Sequence, residues 1–95
     1  MELKFKWERD HRAHQSVPDL DLYVMDDARN PTRWGWLTPD DTRPGYYAVR
    51  MFVAGWRMLG VDIPARDAGD YLPVRQAMRQ LKAYVTIILM GVRPE

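Results

Sequence analysis

Ninety-five residues, 46% of them apolar and 28% charged, with a net charge of +1 at pH 7, fit one globular domain spanning 1–95 and exclude a disordered composition. The lack of cysteine excludes a disulfide framework, a thiolate metal site and a thiol nucleophile, and makes a reducing cytoplasm the expected compartment. The longest near-apolar stretch, Tyr84 to Val92, is too short to span a bilayer, and Met1 leads into an alternating segment rather than a signal peptide.

Charge is segregated along the chain. Residues 17–42 carry two basic and six acidic groups, whereas residues 43–95 carry eight basic and four acidic ones. Such a distribution steers charged partners over about 8–10 Å at physiological salt. Trp7, Trp34, Trp36 and Trp56, with five Tyr and two Phe, supply the large apolar area per residue that a short chain needs for a core.

In chain order, residues 2–9 alternate, with Leu3, Phe5 and Trp7 on one face and Glu2, Lys4, Lys6 and Glu8 on the other, which predicts a half-buried strand. Leu20, Leu22 and Val24 alternate with Asp21 and Tyr23 in a second strand over 20–25. Turn residues Asp26 to Pro31 then lead to a short third strand over 33–37, paired with the second as a hairpin. Thr38-Pro39-Asp40-Asp41 reads as a helix start that Pro44-Gly45 interrupts.

The main helix is expected over 45–59, ending at Gly60. Its only strongly polar side chains, Arg50 and Arg57, fall about 20° apart on a helical wheel, so it would be apolar nearly all round and need cover on two sides. A second helix is expected over 71–90, capped by Asp70 with Pro73 in its first turn. Val74, Ala77, Met78, Leu81, Tyr84, Val85, Ile88 and Leu89 share an arc of about 140° there, opposite Arg75, Gln76, Arg79, Gln80, Lys82 and Thr86. Tyr84–Met90 is rich in β-branched residues and has a strand alternative, but no turn separates it from the helix. The expected fold is α+β: a small antiparallel sheet of about three strands (2–9, 20–25, 33–37) followed by two helices (45–59, 71–90).

Five groups of residues stand out as functional candidates. Asp10, His11 and His14 have metal-ligand character if locally helical, but they lack a fourth ligand in range, and solvated surface is the plainer reading. Asp26, Asp27, Asp40 and Asp41 form two acidic pairs flanking the third strand; each also suits its local place, in a turn and at a helix start. Trp34 and Trp36 put two indoles on one strand face, as core or as an aromatic patch for a partner. Arg43, Arg50 and Arg57 at intervals of seven, and Arg75, Arg79 and Lys82 at i, i+4, i+7, form two basic stripes. Ile87, Met90 and the second flank of the first helix are apolar positions that so small a fold leaves without cover.

No Gly-rich phosphate loop, nucleophile elbow or His–carboxylate pair beside a nucleophile occurs, and the only Ser is Ser16. The expectation is a non-enzymatic protein-interaction module without cofactor: an inhibitor, adaptor or assembly subunit, with a homodimer as one form. Its partner surface would draw on Trp34, Trp36, Arg50, Arg57, Arg75, Arg79, Lys82, Ile87 and Met90. In size and character the chain is similar to small stand-alone proteins that phages and mobile elements encode against host machinery. Two alternatives stand beside this reading: a nucleic-acid-binding module using the basic stripes, and a metal-dependent enzyme using the Asp and His groups.

Overall fold

The computed structural model describes residues 3–11, 16–25, 31–60 and 71–91. Strands β1 (Lys4–Asp10), β2 (Asp19–Met25), β3 (Pro31–Pro39) and β4 (Tyr46–Met51) follow one another. After them come a short helix α1 (Val53–Met58), a two-residue strand β5 (Leu72–Pro73) and a long helix α2 (Val74–Met90). The sheet is antiparallel throughout and its spatial order is the chain order, β1-β2-β3-β4-β5.

Opposed residues in antiparallel strands share a face, so the register collects the apolar positions. Phe5 lies opposite Val24 and Trp7 opposite Leu22; Leu20 lies opposite Leu37 and Leu22 opposite Gly35; Leu37 continues to Val49 and Gly35 to Met51. Helix α2 lies over β4 and β3 on this face. It presents Ala77, Leu81 and Val85, four residues apart and therefore on one stripe, all fully buried. With Leu22, Val24, Leu37, Met51 and Trp56 they form the core. Each fully buried Leu or Val contributes about 1.5–3 kcal/mol relative to exposure.

Gly35 permits the close approach of helix and sheet. A Cβ there would stand 2.6 Å from the Arg50 carbonyl oxygen and 2.8 Å from Leu81 Cδ1. The start of α2 is tied to the β3–β4 turn, because the Val74 N–H donates to the Gly45 carbonyl at 3.0 Å. Its end is set by Gly91, whose φ of 66° suits glycine.

The α+β class stands, but five antiparallel strands and one long helix with a short one replace the expected three strands and two helices. The largest correction concerns 45–59. Tyr46 to Met51 is strand β4, Phe52 is extended, and only Val53–Met58 is helical. Tyr47, Val49 and Met51 point toward α2, while Tyr46, Ala48 and Arg50 point away, so the segment alternates rather than presenting grease all round. The inference that this rod needs a missing neighbour falls with it.

Thr38-Pro39-Asp40-Asp41 is likewise no helix start. Thr38 and Pro39 end β3, opposite Ala48 and Tyr47. Asp40 accepts from the Thr42 N–H (3.0 Å), Thr42 Oγ1 (2.8 Å) and Arg43 Nε (2.9 Å), which folds the turn back into β4. Helix α2 begins at Val74 rather than residue 71, and Pro73 precedes it as the end of β5. Tyr84–Met90 is helical. The Asp26–Asn30 turn, residues 61–69 and the Asp70 cap lie outside the described residues.

Candidate functional site

Among the described residues, the buried charge lies on the sheet face turned away from α2. The residues of this face alternate with the core positions: Lys4, Lys6, Glu8 and Asp10 on β1, Asp19, Asp21 and Tyr23 on β2, Arg33 and Trp36 on β3, Ala48 and Arg50 on β4. Asp19 and Asp21 are only 2% and 3% exposed. The register sets Asp10 opposite Asp19 and Glu8 opposite Asp21, like-charged pairs that are unfavourable unless cations stand among them.

Arg33 is one such cation. Its Nη1 lies 3.5 Å from Asp21 Oδ2, a charge contact longer than a good hydrogen bond. Its guanidinium carbon lies 5.2 Å from the Trp36 ring and 5.2 Å from the Phe52 ring, which meet each other edge to face at 5.1 Å. Asp21 Oδ1 is buried and, among the described residues, without a hydrogen-bond partner. Burial pushes the Asp21 carboxyl above the ordinary carboxylate value; Arg33 pulls it down, and the neighbouring Asp10 pushes it up again. The carboxylate on one side and the two rings on the other hold the Arg33 guanidinium in place.

A β-bulge builds this cluster. Leu22 faces Gly35 but Tyr23 faces Arg33, so Trp34 is an extra residue on β3. Trp34 therefore packs against the core on the helix side, and Trp36 points to the opposite face. The expected pair of indoles on one face does not exist. Arg33 and Phe52, which sequence patterning does not single out, take the places around Trp36 instead.

The other anticipated residues are dispersed. Arg50 is opposite Trp36 on β4. Arg57 is exposed on α1, and Arg75, Arg79 and Lys82 are exposed along α2. The stripe Arg43–Arg50–Arg57 is dissolved, since its members sit in a turn, a strand and a helix. Lys82 Nζ lies 5.2 Å from the Phe5 ring. Ile87 is half-buried and Met90 exposed near the end of α2.

Asp40 and Asp41 belong to the β3–β4 turn; hydrogen bonds from Thr42 and Arg43 hold the Asp40 carboxyl below its ordinary value. Asp26, Asp27 and His14 lie outside the described residues, while His11 is exposed just after β1. Among the described residues no three His, Cys, Asp or Glu side chains are grouped to hold a metal ion.

A second surface lies where α1 meets the C-terminal half of α2. Trp56 meets Tyr84 edge to face at 5.7 Å, and a Cβ on Gly55 would stand 3.8 Å from Ile88 Cδ1. On these two helices Val53, Met58, Leu89 and Met90 are exposed, Met58 at 62%, while Phe52, also exposed, packs against Trp36 on the other face of the sheet. Among the described residues no helix is long and apolar enough to cross a membrane. Comparison with protein-family models, with curated proteins and with solved structures found no match.

Proposed function

We propose that the chain is a non-enzymatic protein-interaction module, an inhibitor, adaptor or assembly subunit of the cytoplasm, that engages another protein through the apolar end formed by α1 and the last turn of α2. One observation carries the reading: Val53 and Met58 on α1 and Leu89 and Met90 in the last turn of α2 stand exposed on two helices that contact each other. Clustered exposed apolar residues mark contact surfaces, whereas single ones are ordinary. Methionines suit such a surface because they adapt their shape to a partner.

A photo-crosslinking side chain placed at Met58 in producing cells tests the proposal, with Gln76 on the outer face of α2 as control. The Met58 position should yield a discrete protein adduct that Leu89→Asp abolishes. Identical adducts from both positions, or none from Met58, would defeat the reading.

A second reading keeps one specific observation. Arg75, Arg79 and Lys82 remain exposed at i, i+4, i+7 on α2, as a nucleic-acid contact would require. Titration with single-stranded and duplex oligonucleotides at low salt checks it. Replacing all three by Gln should lower the slope of log K against log salt by about 0.7–0.9 for each phosphate left unneutralised. Absence of binding at low salt eliminates this alternative.

A further inference from the structure

Strand β1 closes one side of the sheet, and among the described residues no strand lies beyond it. A seven-residue strand at the edge of a sheet can template another strand, and natural proteins commonly guard such edges with charge. The order of charges on β1 does something more particular. Lys4, Phe5, Lys6, Trp7, Glu8, Arg9 and Asp10 read basic, apolar, basic, apolar, acidic, basic, acidic.

Two copies of this strand, laid antiparallel about a two-fold axis, can be centred on any one residue. Centring on Phe5 sets Lys4 against Lys6; centring on Lys6 or Glu8 sets that residue against itself; centring on Arg9 opposes Arg9 to itself and Glu8 to Asp10. Of the registers that pair most of the strand, the one centred on Trp7 opposes no like charges. Lys4 then faces Asp10, Lys6 faces Glu8, Phe5 faces Arg9 and Trp7 faces Trp7, each pair but the last occurring twice by symmetry.

The packing on the other face points the same way. Helix α2 lies over β4 and β3, so Leu3, Phe5 and Trp7 are only half-buried on the helix side of β1. Lys6 and Glu8 are exposed, 60% and 47% by side chain, and already 3.0 Å apart within the strand. They stand on the opposite face from Trp7, where a second copy brings their complements.

We propose that the chain self-associates edge to edge through β1, antiparallel and centred on Trp7, joining two sheets into one continuous sheet with both α2 helices on the same side. The occupant of the edge is a second copy of this chain, because its own sequence sets every lysine of the strand against an acid. Backbone pairing supplies affinity and the cross-strand charges supply register. The edge alone is smaller than a standard interface, so the association is concentration-dependent. This surface is separate from the apolar end proposed for a partner protein.

Sedimentation equilibrium of the full chain over a wide concentration range gives the test. Wild-type protein should move from monomer to dimer. Lys6→Glu sets a second carboxylate across the edge from Glu8, and Glu8→Lys sets a second ammonium across from Lys6. Each variant alone should therefore dimerise about tenfold more weakly or not at all. Mixed in equal amounts the two variants should form a heterodimer, since every reversed charge then meets its opposite across the edge. The mixture leaves both intrastrand pairs like-charged, so recovered pairing reports the interface rather than repair of the monomer; circular dichroism confirms that both variants are folded.

A wild type that stays monomeric at the highest concentration overturns the proposal. So do variants that dimerise as well as wild type, or a mixture that gains nothing. None of these results bears on the Met58 crosslink, so the two proposals fail separately.

Discussion

Asp21 sits where burial and a cation compete for one carboxyl. Its folded-state value is raised from the ordinary 3.8, with burial the largest cause and Arg33 opposing it. The folded state therefore holds the proton more tightly than the unfolded chain. Stability is lost as pH rises from about 3.8 through the raised folded value, and above that window the cost of the buried charge is present in full. Asp21→Asn removes the ionisation while keeping the shape. It should melt above wild type at pH 7, and the two melting curves should converge as pH falls below 3.8. A lower melting temperature at pH 7 would mean that the Arg33 contact outweighs burial. Gly35 poses the opposite problem, a side chain that has no room. Gly35→Ala drives a methyl toward the Arg50 carbonyl oxygen, which is backbone and yields little, and should cost about 1–3 kcal/mol in thermal or urea unfolding. Neither residue stands out in the sequence. Asp21 alternates with leucines, the pattern of a solvated outer position; only a sheet in which Arg33, Trp36 and Phe52 gather over it makes it buried. Trp34 and Trp36 part company for the same kind of reason, because a bulge is a property of two strands together and leaves no mark on period-two spacing.

At the scale of elements, β1 and α2 are legible because each has one face in water, and β2 because its covered outer face still carries Asp19, Asp21 and Tyr23 between the apolar positions. Leu3-Phe5-Trp7 and Leu20-Leu22-Val24 alternate cleanly, and Ala77, Leu81 and Val85 recur at helical spacing with arginines opposite. β4 is not legible because both of its faces are largely covered: Ala48, on the side away from α2, is fully buried, and Met51 on the other side is buried too. A strand covered on both faces reads as a continuous apolar run, and that run passes into α1 through Phe52 without a polar turn. Tyr46, Tyr47 and Val49 do carry a strand signal in their branched and aromatic side chains. The coincidence of Arg50 and Arg57 seven residues apart masks it. Helix α2 makes the clearest energetic prediction at this scale. Leu81 is fully buried against β3, and Leu81→Ala should cost about 2–5 kcal/mol, while Arg79→Ala, on the exposed side of the same helix, should change stability by less than about 0.5 kcal/mol. Urea unfolding of both variants measures the contrast.

For the whole molecule, the order of the sheet makes the strands local and the helix final. Every sheet neighbour is the next strand in the chain, and β1 to β4 pair across short separations, with β5 added after α1. Its apolar face nevertheless has no second layer until α2 returns, with the Val74 N–H fastened to the Gly45 carbonyl and Leu81 packed at Gly35. Leu22, Leu37 and Met51 on the sheet and Ala77, Leu81 and Val85 on the helix are one cluster, not two. A chain ending at Gly60 loses one entire side of that cluster, including two of its four largest fully buried side chains. At about 1.5–3 kcal/mol for each, and with the sheet partners Leu37 and Met51 left facing water, the loss rivals the roughly 5–15 kcal/mol by which an ordinary domain is stable. The truncated chain should therefore show no cooperative thermal transition and poor amide dispersion, whereas the full chain melts as one unit. If residues 1–60 melt cooperatively on their own, the core is divided between sheet and helix, and α2 is an appendage rather than the second layer of the fold.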